Sequence, residues 1–69
     1  MPLVLARPGE KNSIKRIGGR DETKKRLETL GFVVGSAVTV VSRLNGNIIV
    51  NIKDSRIAIS QEMATKIMV

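Results

Sequence analysis

Arg26-Leu27-Glu28-Thr29-Leu30-Gly31-Phe32-Val33-Val34-Gly35-Ser36-Ala37-Val38 writes a helix end, a tight connection and a strand start in one short stretch. Leu27 and Leu30 lie three apart, on one face of a helix. Gly31 accepts the left-handed backbone conformation that closes a helix without a Cβ clash. With Gly31 as the first residue outside the helix, a Schellman arrangement bonds the Phe32 amide to the Leu27 carbonyl and packs the two side chains together. Gly35 permits a second turn. From Ala37 the period moves toward two, with Val38 and Val40 on one strand face and Thr39 on the other. The stretch predicts a short helix that feeds directly into a sheet.

Upstream, Leu3 to Leu5 reads as a first strand, and Arg7-Pro8-Gly9-Glu10 places Pro and Gly where a type II turn wants them. A second strand is expected from Ser13 to Ile17. Its Ile14 and Ile17 are out of strict alternation, which predicts a bulge or a strand end near Gly18-Gly19. Asp21 is the expected N-cap of the helix and Glu22 complements the dipole in its first turn, with the helix running to about Leu30.

Downstream, the strand from Ala37 reaches about Arg43, and Asn45-Gly46 between apolar segments signals a type I′ hairpin. Ile48, Val50 and Ile52 alternate, Asp54-Ser55 marks another tight turn, and Ile57 and Ile59 alternate again, so three strands form an antiparallel meander. Ser60 can cap a short last helix over Gln61 to Lys66 that turns Met63, Ala64 and Ile67 inward. Ile67-Met68-Val69 then adds a terminal strand beside the first. The expected fold is mainly β: a small SH3-like barrel of five to six strands, with one short helix after the second strand and a short C-terminal helical turn. Closure would remove exposed strand edges.

Residues 1–69 are expected to make one small domain. At this length only about 60% of the unfolded surface can be buried. Hydrophobic residues are 42% of the chain, mostly Ile, Val and Leu, which suffices for a compact sheet core. The absence of Cys removes disulfides, thiolate nucleophiles and zinc–thiolate sites, and it fits a cytoplasmic location. The first seven residues do not read as a signal peptide. No apolar run approaches the roughly 18 residues that span a bilayer. A soluble protein without membrane insertion is expected.

There is no His either, so the usual neutral-pH general base and most transition-metal ligands are missing. Glu10, Asp21, Glu22, Glu28, Asp54 and Glu62 fall mostly at turns and helix starts, where capping and solvation account for them. Neither a catalytic residue, a resident metal nor a cofactor is expected. Gly18-Gly19 precedes a helix, but no phosphate-loop or dinucleotide pattern accompanies it, so it reads as a turn.

A net charge of +6 favours an acidic partner. Lys24-Lys25-Arg26, with Arg20 just before, is the densest basic cluster; such runs are commonly only a solvated face. Binding of nucleic acid by a basic barrel is an alternative, opposed by the lack of stacking platforms, since Phe32 is the one aromatic residue. The same lack argues against recognition of Pro-rich peptides. Val33 and Val34 have two readings. Either they tuck into the barrel mouth, or they form an exposed apolar tip near Lys24 and Lys25 that suits docking.

Taken in order, Leu5 to Glu10, Ile14 to Gly19, Arg26 to Gly35, Ile57 to Ile59 and Ala64 to Val69 resemble the pattern of the ferrous-iron transport protein A (FeoA) family. Its centre is the run Arg26-Leu27-Glu28-Thr29-Leu30-Gly31-Phe32-Val33-Val34-Gly35. The resemblance implies an SH3-like barrel in the bacterial cytoplasm that assists uptake of Fe(II) by FeoB, a membrane transporter with a cytoplasmic GTP-binding domain. It implies an accessory or regulatory role. The chain departs from the family pattern at three positions and one connection: Val34 stands where Pro is common, Ser60 and Met63 stand where Arg and Glu are frequent, and Leu44-Asn45-Gly46-Asn47 replaces a longer, Pro-containing connection. The same fold resembles the C-terminal domain of iron-dependent repressors of the diphtheria-toxin type, which leaves a stand-alone regulatory domain as a further alternative. Lys24, Lys25, Val33 and Val34 form the expected partner-binding face.

Overall fold

The helix closes where the glycine stands. In the computed structural model, which describes residues 1–69, helix α1 covers Asp21–Leu30 and Gly31 follows it in the left-handed conformation with φ 105°. The Gly31 amide donates to the Glu28 carbonyl and the Phe32 amide to the Leu27 carbonyl, both at 2.9 Å. Leu27 and Phe32 are both fully buried, so the cap and the core are one contact set. Leu30 is a rim residue, 37% exposed.

The start of α1 differs from expectation. The N-cap is Arg20, and no side chain caps the helix. Asp21 is already helical, and it sits with Glu22 in the first turn. Its carboxylate there faces the positive end of the helix dipole.

The N-terminal segment is a second correction. Leu3–Leu5 is a 3-10 turn, in which the Leu5 amide donates to Pro2 O at 3.0 Å and the Ala6 amide to Leu3 O at 2.9 Å. Leu3 and Ala6 are buried and Leu5 is 66% exposed. That three-residue period suits a 3-10 turn, whereas a strand would send Leu3 and Leu5 to the same face. The Arg7–Glu10 turn forms as expected, with Gly9 at φ 84° and the Glu10 amide donating to Arg7 O at 3.3 Å.

The strand expected over Ser13 to Ile17 is two strands, β1 (Lys11–Ser13) and β2 (Arg16–Ile17). Buried Ile14 marks the break, and the chain changes sheets there. Next come β3 (Ala37–Leu44), β4 (Asn47–Ile52) and β5 (Ser55–Ser60), the expected meander. A bulge interrupts β3 between Val40 and Ser42. Asn45 and Gly46 have φ 47° and 80°, the signature of a type I′ turn. The second hairpin turns one residue earlier than expected, on Lys53 and Asp54 with φ 48° and 64°, because Ser55 already pairs with Ile52.

Helix α2 (Gln61–Ala64) is capped as expected: Ser60 Oγ accepts from the Met63 amide at 3.1 Å. Strand β6 (Ile67–Met68) pairs antiparallel with β2, and an isolated bridge joins Met68 to Pro2. The sheets run β1-β3-β4-β5 and β2-β6. Between them lies an entirely apolar core that includes Leu3, Ile14, Leu27, Phe32, Val38, Val40, Ile48, Val50 and Ile67. Hydrogen bonding does not close the sheets into a continuous ring, so β1 and β5 remain outer strands.

Candidate functional site

The connection between α1 and β3 is a second tight turn whose geometry presents Val34. The Ser36 amide donates to Val33 O at 3.0 Å, Gly35 has φ 92°, and Val34 has no positive φ. A negative φ at the second position and a positive one at the third define a type II turn. The turn is held from behind. Gly35 N–H donates to Ile14 O at 2.8 Å, and Ile14 N–H donates to Ser36 O at 2.9 Å. Val33 is half-buried and Val34 is 66% exposed, so the two valines divide between the two readings: one tucks in and one stands out.

Lys24 and Lys25 are exposed on α1. Successive helical residues point about 100° apart, so Lys24 flanks the buried stripe of Leu27 and Lys25 faces away from the core. At about 1.5 Å rise per residue the pair lies about 9–11 Å along the axis from Gly31. The candidate residues are therefore two exposed lysines on different sides of the helix and, beyond its C-terminal cap, an exposed apolar turn residue.

The basic residues are not all available to a partner. Arg43 reaches across from β3 and donates through Nη2 to Val4 O at 2.7 Å and Ala6 O at 2.6 Å. These carbonyls belong to the end of the 3-10 turn, so Arg43 fastens the N-terminal segment to the main sheet. Strand patterning gave it no such role; the contact is 39 and 37 residues away in sequence, and nothing local announces it.

The outer face of the sheet carries a polar row. Lys11, Thr39, Asn51 and Arg56 are register partners across β1, β3, β4 and β5. Lys11, Thr39 and Asn51, with Ala37, Ile52, Lys53 and Asp54, line a shallow concavity of about 510 Å³. Alternation alone puts Thr39 and Asn51 outward, but only the register aligns them. No three carboxylates gather to hold a metal ion.

Comparison with known proteins places this geometry in a family. The FeoA domain model matches residues 1–69. A protein of Methanocaldococcus jannaschii that carries the name of Fe(2+) transport protein A is 38% identical over 68 residues, which cover 99% of this chain and 83% of that one. The crystal structure of an iron uptake regulatory protein, FeoA, superposes with a TM-score of 0.87 at 27% identity, covering 96% of this chain and 88% of the other. Stenotrophomonas maltophilia FeoA, a prokaryotic SH3 domain protein solved in complex with zinc, gives 0.85 at 22% identity, over 99% and 87% of the two chains. That last likeness bears on the fold alone and agrees with an SH3-like architecture. With a whole-length family match and a relative of this identity, the chain belongs to the FeoA family of ferrous-iron transport proteins.

Proposed function

We propose that this protein is a non-enzymatic accessory factor of ferrous-iron uptake, acting in the cytoplasm by docking on the cytoplasmic GTP-binding part of the FeoB transporter. Family membership supports the pathway. The observation that carries the docking reading is Val34, an apolar side chain 66% exposed at the apex of a turn whose backbone is hydrogen-bonded in place. A pre-ordered apolar tip loses little entropy on contact, and it supplies the desolvated centre that interfaces need. Lys24 and Lys25 on the adjoining helix favour encounter with an acidic surface. No helix of the protein is long and apolar enough to cross a membrane, consistent with a partner of the transporter.

The nucleic-acid reading draws on charge alone. Phe32 is fully buried in the helix cap, so no aromatic face is available to stack a base.

Deleting the gene tests the transport role. Fe(II) uptake is expected to fall in the deletion strain and to recover when the gene is supplied in trans. Unchanged uptake in that strain would remove the role.

A further inference from the structure

Strand β5 ends the larger sheet, and no strand pairs with its free side. The other outer strand, β1, is only three residues long and begins with a lysine, the usual protections of an edge. β5 has six residues, Ser55-Arg56-Ile57-Ala58-Ile59-Ser60, with no proline, glycine or bulge. It is the unguarded edge.

The hairpin fixes which of its backbone groups point outward. Lys53 and Asp54 make a two-residue loop, so the closing pair Ile52–Ser55 exchanges hydrogen bonds, and exchange recurs at every second pair, Val50–Ile57 and Ile48–Ile59. The amides and carbonyls of Arg56 and Ala58 then face the open side. None of the backbone hydrogen bonds formed outside the helices and strands involves either residue. Both residues are exposed. Four ladder groups in a flat row are thus free to pair with another strand.

Side chains along this edge favour one chemistry. A strand added antiparallel would set one residue opposite Arg56 on the outer face, beyond Asn51, Thr39 and Lys11 of the polar row. On the inner face its neighbour would cover Ile57, which is half-buried and packs against the core. With a net charge of +6 and Arg56 on the edge itself, Lys53 and Asp54 of the turn offsetting each other, a second copy of this chain would be repelled and an acidic segment attracted. We infer that the β5 edge takes up an extended acidic segment as an additional strand, with a carboxylate opposite Arg56 and an apolar side chain over Ile57. The inference uses neither Val34 nor Lys24 and Lys25, so it stands or falls independently of docking at that turn.

The probe is an eight-residue peptide of alternating Val and Glu, titrated into the full-length protein and followed by amide hydrogen exchange. Slowing of exchange at Arg56 and Ala58 by at least tenfold, with Ile57 and Ile59 little changed, is the expected result. Ala58→Pro removes one outward donor at a position where edge strands tolerate proline, and it should abolish the protection. Arg56→Glu keeps the backbone intact and should weaken binding by about tenfold or more, judged on a variant whose spectrum remains folded. Absence of protection at millimolar peptide, or equal binding by Arg56→Glu, overturns the inference. Protection that grows with protein concentration in the absence of peptide also overturns it, since the occupant would then be a second copy.

Discussion

Val34 shows how one residue serves both local geometry and surface chemistry. It occupies the second position of a type II turn, its amide takes part in none of the turn and loop backbone bonds, and its side chain meets solvent. Proline is favoured there because its ring presets φ and its lost donor is not missed. Val34→Pro should therefore stabilise the fold by about 0.4–1 kcal/mol through the unfolded chain, raising Tm by about 2–8 °C for a domain this small. Thermal unfolding measures this directly, and a lowered Tm would show that the turn is not type II. Arg43 is the opposite case, a charge that looks free in the sequence and is engaged in the structure. One guanidinium nitrogen, Nη2, donates to both the Val4 and Ala6 carbonyls, and a lysine side chain, one atom shorter, does not bring its ammonium within reach of both. Arg43→Lys should cost about 1 kcal/mol and speed amide exchange at Leu5 and Ala6 while leaving β4 protected.

At the scale of elements, what the sequence disclosed depended on how local the cause was. The C-terminal end of helix α1, its glycine cap, the Asn45-Gly46 hairpin and the Ser60 cap each arise from contacts within about five residues, and each stands where the residue pattern put it, whereas the helix N-cap is Arg20, one residue before the expected Asp21. Three further features were missed, two of them with distant causes. The 3-10 turn at Leu3–Leu5 is fixed by burial of Leu3 and Ala6 and by Arg43. The break at Ile14 reflects a change of sheet, and the β4–β5 turn follows the register of Ile52 with Ser55. That turn places two non-glycine residues, Lys53 and Asp54, at positive φ. A left-handed conformation costs an ordinary L-residue roughly 1–2 kcal/mol, and Asn-Gly is the preferred occupant of such a turn. The double substitution Lys53→Asn, Asp54→Gly should gain about 1 kcal/mol in denaturant unfolding with an unchanged slope; a loss would mean that the Lys53 or Asp54 side chain contributes contacts that outweigh the backbone strain.

For the whole molecule, the fold class and family were legible because they rest on order and spacing along the chain, from the Pro8-Gly9 turn to the Ile67-Met68-Val69 end. The candidate face was legible only in outline. Lys24, Lys25, Val33 and Val34 were identifiable as a basic stretch and an apolar connection, but not the half-burial of Val33, the exposure of Val34 or the open side of β5, since each depends on elements assembled from distant segments. Charge also acts at this scale. With twelve Lys and Arg against six Asp and Glu, at least half the cations lack a carboxylate of their own, and the field should speed encounter with an acidic partner. Lys24→Glu with Lys25→Glu is expected to lower the association rate for the FeoB cytoplasmic region by about tenfold at low salt, with a smaller difference as screening rises. Stopped-flow association across a salt series checks it; a rate independent of both charge and salt would leave no steering role for the helix.

Docking itself is most directly tested by titrating the isotopically labelled protein with the FeoB cytoplasmic region, in GDP and GTP-analogue states, and following each backbone amide by NMR. Shifts concentrated at Lys24, Lys25, Val33 and Val34 are the expected result. No shifts in either nucleotide state, or shifts only at the Asn45-Gly46 hairpin, would contradict docking on this face.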